Sequence, residues 1–250
     1  MTGPSLDEWE RVGREFGVEI EQVRRDHLVS HVLAALAAGV STDDLVFFGG
    51  TALSRTHLAD SRLSEDIDLL ALGPRSGLAR ELEVAVRRGL ARSHGYPTWT
   101  PPLPSTRGSQ PSVLSAPGGA SIQVQLLDGV GHRWPTEIVD VQQRYADAPP
   151  ARLRVPTAPG FAAAKLSAWI DRRAPRDLYD LWALAERGLI DDGARDVLFQ
   201  HGPFGRPAPA WAFDRGVDED VWRRSLGHQT TLRVTASAAL AAVRAAWLAD

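Results

Sequence analysis

The chain has 250 residues, enough for one large domain or two smaller ones, with 44% apolar residues, 24% charged residues and a net charge of −3. That balance excludes a general polyanion binder, so a nucleic-acid partner would have to be met by a local basic patch. No apolar run approaches the roughly 20 residues of a membrane span, and the absence of cysteine excludes disulfides and thiolate metal sites, leaving oxygen or imidazole as metal ligands and a cytoplasmic location as the expectation.

The opening segment "MTGPSLDEWERVGREFG" is acidic and has neither a basic start nor an apolar stretch, so export is not expected. Its pattern is helical, with Ser5 placed as N-cap and Glu8 three residues on. "EQVRRDHLVSHVLAALAAG" follows at helical period and stops at Gly39. "DLVFFGG" then predicts a short buried strand, "TALSRTHLA" a short helix beginning just after the glycines, "RLSEDIDLLALG" a strand, and residues 76–94 a further helix. The Pro-, Ser- and Gly-rich stretch from Tyr96 to Gly119 predicts turns and edge strands, leading into a hairpin over "SVLSAPGGASIQVQLLDG" with "APGGA" at the turn. "TEIVDVQQR" and "ARLRVP" add strands. Beyond "TAPG" every periodic segment is helical, which sets an expected boundary near Ala158 between a core of residues 1–157 and a helical domain of residues 158–250.

Gly49 and Gly50 allow a sharp turn and close approach to a ligand, and Thr51 places a hydroxyl at a helix N-terminus, where free N–H groups favour an anion. Two residues alternate to the same face of a strand, so Asp66 and Asp68 point one way while Ile67 and Leu69 point the other. Neighbouring carboxylates repel, and a divalent cation is the natural compensation; all-oxygen ligation suits Mg2+ or Mn2+, which combine carboxylates with substrate phosphates. The alternative is an exposed edge strand whose acids pair with Arg55 or Arg62.

Lys165 is the sole lysine among 28 basic residues, and the chain contains no asparagine. A coding bias that turns lysine into arginine wherever only charge matters would spare a site that needs a compact ammonium. Pro175 breaks the helical run after Lys165, so a new helix is expected around Arg176, with Asp177 and Asp180 on one face and an apolar stripe on another. That break can fold Lys165 back toward the two acids. A solvated acidic helix face is the alternative reading.

"GGTALSRTHLADSRLSEDIDLL" closely resembles the first motif of the AbiEii/AbiGii and MenT-like toxin nucleotidyltransferases, within the polymerase-beta-like superfamily. The resemblance implies an α+β fold, with a mixed sheet flanked by helices and a helical C-terminal domain. It implies Gly49, Gly50 and Thr51 at the triphosphate, Arg62 and Ser64 beside the site, and Asp66 and Asp68 as metal ligands. "K…RRAPRDLYDLW" resembles the second motif, which implies Lys165, Arg176 and Asp177 at the nucleotide and Asp180 as the base that activates the attacking hydroxyl. The implied reaction is transfer of NMP from an NTP, with CTP or another pyrimidine nucleotide as candidate, to the 3′ end of tRNA, blocking aminoacylation. An NTP co-substrate, Mg2+ or Mn2+, a neutralising antitoxin and a monomeric state complete what the resemblance implies. Arg172, Arg173, Arg176, Arg223 and Arg224, with Trp222 for stacking, are candidates for the tRNA path, against the alternative, favoured for each taken singly, of a solvated helix face with Trp222 in the core.

Superfamily members often carry a third carboxylate on a later strand, where "SIQVQLLDG" presents Gln123 and Gln125. Either one metal suffices, or Asp180 or Asp128 completes the site. The seven histidines are scattered without zinc-motif spacing and are expected to be ordinary surface or capping residues. A small-molecule nucleotidyltransferase of the aminoglycoside-modifying kind and a non-catalytic NTP-binding module remain the rival readings.

Overall fold

Helix α2, Ile20–Gly39, is enclosed by its neighbours: its residues from Gln22 to Leu36 are buried except Arg24 and Arg25, and polar Asp26, His27 and His31 are buried beside an apolar majority. The computed structural model to which it belongs describes residues 6–249, so the N-cap expected at Ser5 lies outside the described residues. Helix α1, Leu6–Phe16, precedes α2 and lays Val12 and Phe16 against Val23, Leu63, Tyr145 and Ala148.

Strand β1, Leu45–Phe48, runs directly into the short helix α3, Gly49–Ser54. The helix therefore begins on the glycines rather than after them, and it ends earlier than the sequence suggests. Its end has a local cause: Arg144 donates to the Ser54 carbonyl at 2.8 Å, and the Leu58 amide closes a wider turn on the Leu53 carbonyl at 2.9 Å. Strand β2, Asp66–Ala71, and helix α4, Arg75–Leu90, follow. Strands β3, Thr98–Thr100, β4, Ser112–Ser115, and β5, Ser121–Asp128, complete a mixed sheet in the order β1-β2-β5-β4-β3. β2 pairs antiparallel with β1 and parallel with β5, so it is an inner strand. The expected hairpin is β4–β5, with Ser115 opposite Ser121.

Helices α2 and α4 cross closely because small residues meet. A Cβ on Gly89 would fall 2.4 Å from that of Ala35, and one on Gly39 would fall 2.5 Å from that of Ala85. At the other end of this layer, the buried carboxylate of Asp26 accepts from Arg55 at 2.8 Å, Arg144 at 3.1 Å and the Tyr145 hydroxyl at 3.0 Å. Burial, then the neighbouring Arg144, lower the Arg55 guanidinium to about 10, while Asp26 works in the opposite direction.

Strands β6, Thr136–Val141, and β7, Ala151–Pro156, form a separate two-stranded ladder. Five helices follow: α5, Ala158–Arg172; α6, Pro175–Glu186; α7, Asp192–His201; α8, Glu219–Leu226; and α9, Ala236–Trp247. Thr157, Asp191, Asp218 and Thr235 cap four of them with side-chain oxygens. The contacts divide the chain into one unit of residues 1–132 and 138–155 and a second of residues 133–137 and 156–250. No helix among the described residues is long and apolar enough to cross a membrane.

Candidate functional site

In the first unit, β2 alternates between half-buried Asp66, Asp68 and Leu70 and buried Ile67, Leu69 and Ala71, so both acids share one face. The inner position of β2 excludes the edge-strand alternative, and Arg55 is engaged by Asp26 instead. Phe48 stands opposite Asp68, which brings the glycine turn up to the acid. Gly49 has φ +79°, and a Cβ there would fall 2.1 Å from Asp68 Oδ2. Gly50 faces the other partner: its Cβ would meet Arg62 Nη2 at 2.6 Å and Ser64 Oγ at 3.3 Å. The two glycines thus form a floor on which a carboxylate and a guanidinium rest side by side.

The Thr51 hydroxyl points inward and donates to the Asp66 carbonyl, tying α3 to the start of β2. Its side chain is an internal fastener, which leaves the backbone of the turn to face a ligand. Gln123 stands opposite Asp66 and Gln125 opposite Asp68 in the parallel ladder. The Gln125 amide donates to the Ser109 carbonyl. Asp128 stands opposite Ala71, three residues beyond Gln125, which is about 10 Å along the strand. It caps the Val130 amide at 3.0 Å and cannot complete a site with Asp66 and Asp68. Glu65, which no motif singles out, pairs with Arg25 at 2.9 Å and shares with Asp66 and Gln123 a cavity of about 240 Å3. Its position next to the acidic pair was the only signal for it.

The carboxylates fit a hard divalent cation. They offer oxygen only, lie two residues apart on one strand face, and are approached by a turn in which any side chain would collide with Asp68.

In the second unit, α5 ends at Arg172 and α6 opens with Pro175 at its first turn, so the chain reverses over a very short link. Arg173, not a glycine, takes the left-handed cap at φ 51°. Its guanidinium lies 5.0 Å from the Trp169 ring centroid and donates to the Ala212 carbonyl, which supplies the contacts that hold the strained conformation. The reversal brings Lys165 Nζ to 3.1 Å from Asp177 Oδ1 and 2.7 Å from Asp180 Oδ2. Arg172 grips Asp177 as a fork, Nε to Oδ2 at 2.7 Å and Nη2 to Oδ1 at 3.0 Å. Lys165, Asp177 and Asp180 are all buried, so the solvated-face alternative does not hold for these acids. Burial pushes the Asp177 carboxyl up, but Lys165 and the Arg172 fork outweigh it and hold the group below its ordinary range.

The residues proposed for an RNA path are less uniform. Arg176 is exposed, whereas Arg173 is turned onto Trp169. Trp222 is 1% exposed and donates through Nε1 to the Val234 carbonyl at 3.0 Å, so it is a core residue and is removed from the candidates for base stacking. Arg223 pairs with Asp220 within one turn of α8.

The expectation that the histidines are isolated is overturned. His27, His31 and His94 come together in the first unit, with His27 and His31 buried one turn apart on α2. The His-x3-His spacing in "DHLVSH" was the visible signal; the third member is remote in sequence.

A family model for the nucleotidyl transferase AbiEii toxin, of a type IV toxin–antitoxin system, matches residues 31–240. Among solved structures the chain is similar to MenT4, a nucleotidyltransferase toxin from Mycobacterium tuberculosis H37Rv, at a TM-score of 0.66 and 22% sequence identity, covering 92% of this chain and 83% of that one. No curated protein sequence matches the chain significantly.

Proposed function

The chain belongs to the AbiEii nucleotidyltransferase toxin family, and on that premise we propose that it transfers NMP from an NTP to the 3′ end of tRNA in the cytoplasm, using a divalent metal, and so blocks aminoacylation. The observation that carries the reading is the glycine turn closed on Asp68, with Asp66 on the same face of β2.

A Mg2+ or Mn2+ ion held by Asp66 and Asp68 would neutralise negative charge on the triphosphate. The backbone of Gly49, Gly50 and Thr51 is assigned to the phosphates, with Arg62 and Ser64 beside it. Lys165 donates to phosphate oxygens from its buried position, while Arg172 keeps Asp177 ionised and oriented. Asp180 accepts the proton of the attacking hydroxyl as its oxygen bonds to the α-phosphorus and the bond to pyrophosphate breaks. Arg176, exposed at the start of α6, is assigned in this reading to the nucleotide or the RNA. A pyrimidine nucleotide, CTP among them, is the proposed donor; the protein acts as a monomer and is restrained by a cognate antitoxin.

Total tRNA incubated with the protein, Mg2+ and labelled NTPs should become labelled at its 3′ end, and Asp66→Ala or Lys165→Ala should abolish the label. Measurable NTP binding without transfer would favour a binding module, the reading that Gln123 and Gln125 opposite the two acids support. Labelling of an aminoglycoside instead of tRNA would favour a small-molecule enzyme.

A further inference from the structure

Three imidazoles meet where α2 faces the chain leaving α4. The ring centroids of His27, His31 and His94 form a nearly equilateral triangle with sides of 4.7, 4.8 and 4.9 Å. One ligand atom from each lies within 4.8 Å of the others. The Gly89–Ala35 and Gly39–Ala85 approaches explain why the last turn of α4 comes so close to α2.

The surrounding hydrogen bonds assign the tautomers. His27 Nε2 lies 3.1 Å from both oxygens of Asp147, which only accept, so that nitrogen carries the proton. His94 Nδ1 lies 2.9 Å from Ser93 Oγ, and that hydroxyl donates to the Leu90 carbonyl. Ser93 therefore accepts from His94. The inner pair, His27 Nδ1 and His94 Nε2, lie 3.1 Å apart, a separation at which a proton or a metal cation held between them satisfies both nitrogens. Two nitrogens bound to one tetrahedral zinc at about 2.0–2.1 Å would stand about 3.3 Å apart.

His31 supplies a second, independent observation. Its Nε2 is buried without a well-formed hydrogen bond, although Asp147 Oδ2 is 3.4 Å away. At that distance Asp147 is an ion-pair neighbour, and no group meets the full geometry of a hydrogen bond at this nitrogen.

We propose that His27, His31 and His94 bind one divalent transition-metal ion of the zinc class, with Asp147 orienting His27 from the outer shell. Imidazole nitrogens suit Zn2+ and its neighbours and are poor ligands for Mg2+. The carboxylate–histidine pair supplies the outer-shell support typical of such sites. The ligands come from α2 and from just beyond α4, and Asp147 from the loop after β6, so the ion would fasten three parts of the first unit. This site shares no residue with the Asp66 and Asp68 pair.

The test uses untagged, full-length protein stripped with a pyridine dicarboxylate chelator and titrated with Zn2+ or Co2+. One ion per chain should be retained through gel filtration, Co2+ should develop the intense visible bands of tetrahedral nitrogen ligation, and Zn2+ should raise the melting temperature. His94→Gln should abolish all three. Asp147→Asn should weaken binding about 10–100-fold. Asp66→Ala with Asp68→Ala should leave stoichiometry unchanged. Should His94→Gln fold poorly, His31→Gln serves in its place. Wild-type protein that retains no ion, or a His94→Gln or His31→Gln variant that retains as much as wild type, would overturn the assignment.

Discussion

The ammonium of Lys165 lies 2.7 Å from Oδ2 of Asp180, with both side chains almost wholly buried. A compact cation fits between Asp180 and Asp177, whereas a guanidinium would need a wider, planar slot. Lys165→Arg should therefore lower the rate of nucleotide transfer by about 10²–10³-fold, the usual effect of removing one preorganised donor. Time courses of tRNA labelling at saturating NTP would measure it, and a near-normal rate would remove the case for a lysine-specific contact.

Asp177 makes stability depend on acidity in a defined direction. Burial raises its carboxyl, yet Lys165 and Arg172 bring the net value below the ordinary 3.8. A group lowered on folding contributes stability above its unfolded pKa and loses that contribution as pH falls through the folded value. Wild type should exceed Asp177→Asn in urea unfolding at neutral pH. Below about pH 4 the difference should shrink as the native carboxylate takes up its proton; a gap independent of pH would contradict this.

Gly49→Ala should impair both folding and activity, because it adds a side chain at φ +79° and forces a collision with Asp68. The backbone term alone costs about 1–3 kcal/mol. Asp68→Ala in the same chain removes the Oδ2 and Cγ clashes and leaves the Cβ at 3.0 Å, so the double variant should be more stable than the sum of the single losses. A double-mutant cycle by chemical denaturation measures the coupling, expected at about 0.5–3 kcal/mol.

Asp26 is the shared acceptor of a buried guanidinium pair and offsets one of its two positive charges. Asp26→Ala leaves Arg55 and Arg144 facing each other without their shared acceptor, and should cost about 3–5 kcal/mol in equilibrium unfolding. Because the network lies apart from the proposed reaction chemistry, NTP affinity of the folded fraction should change little.

Contiguous strings carried much of this legibility. "GGT" and "DID" imply their own geometry, since a strand alternates and a turn needs glycine, and the prolyl break after "KLSAWIDRR" predicts the fold-back of Lys165. What escaped depends on long-range company. The tie from Thr51 to Asp66 and the Asp26–Arg55–Arg144 network join residues that no periodicity relates. Arg173 in a left-handed cap breaks the glycine rule and is explained only by Trp169 and Ala212. For the histidines, half of the pattern was visible on α2, but His94 and Asp147 are supplied by the packing of other elements.

Counted as charges, the group formed by Lys165, Arg172, Asp177 and Asp180 sums to zero, because two cations meet two carboxylates. At a distance such a quartet projects almost no monopole field, and its influence falls away over a few ångströms. It therefore adds little to the long-range capture of a polyanion, and extra salt has little to screen there. In the proposed reaction its contribution is one of contact: donors already aligned for a phosphate that other forces would deliver.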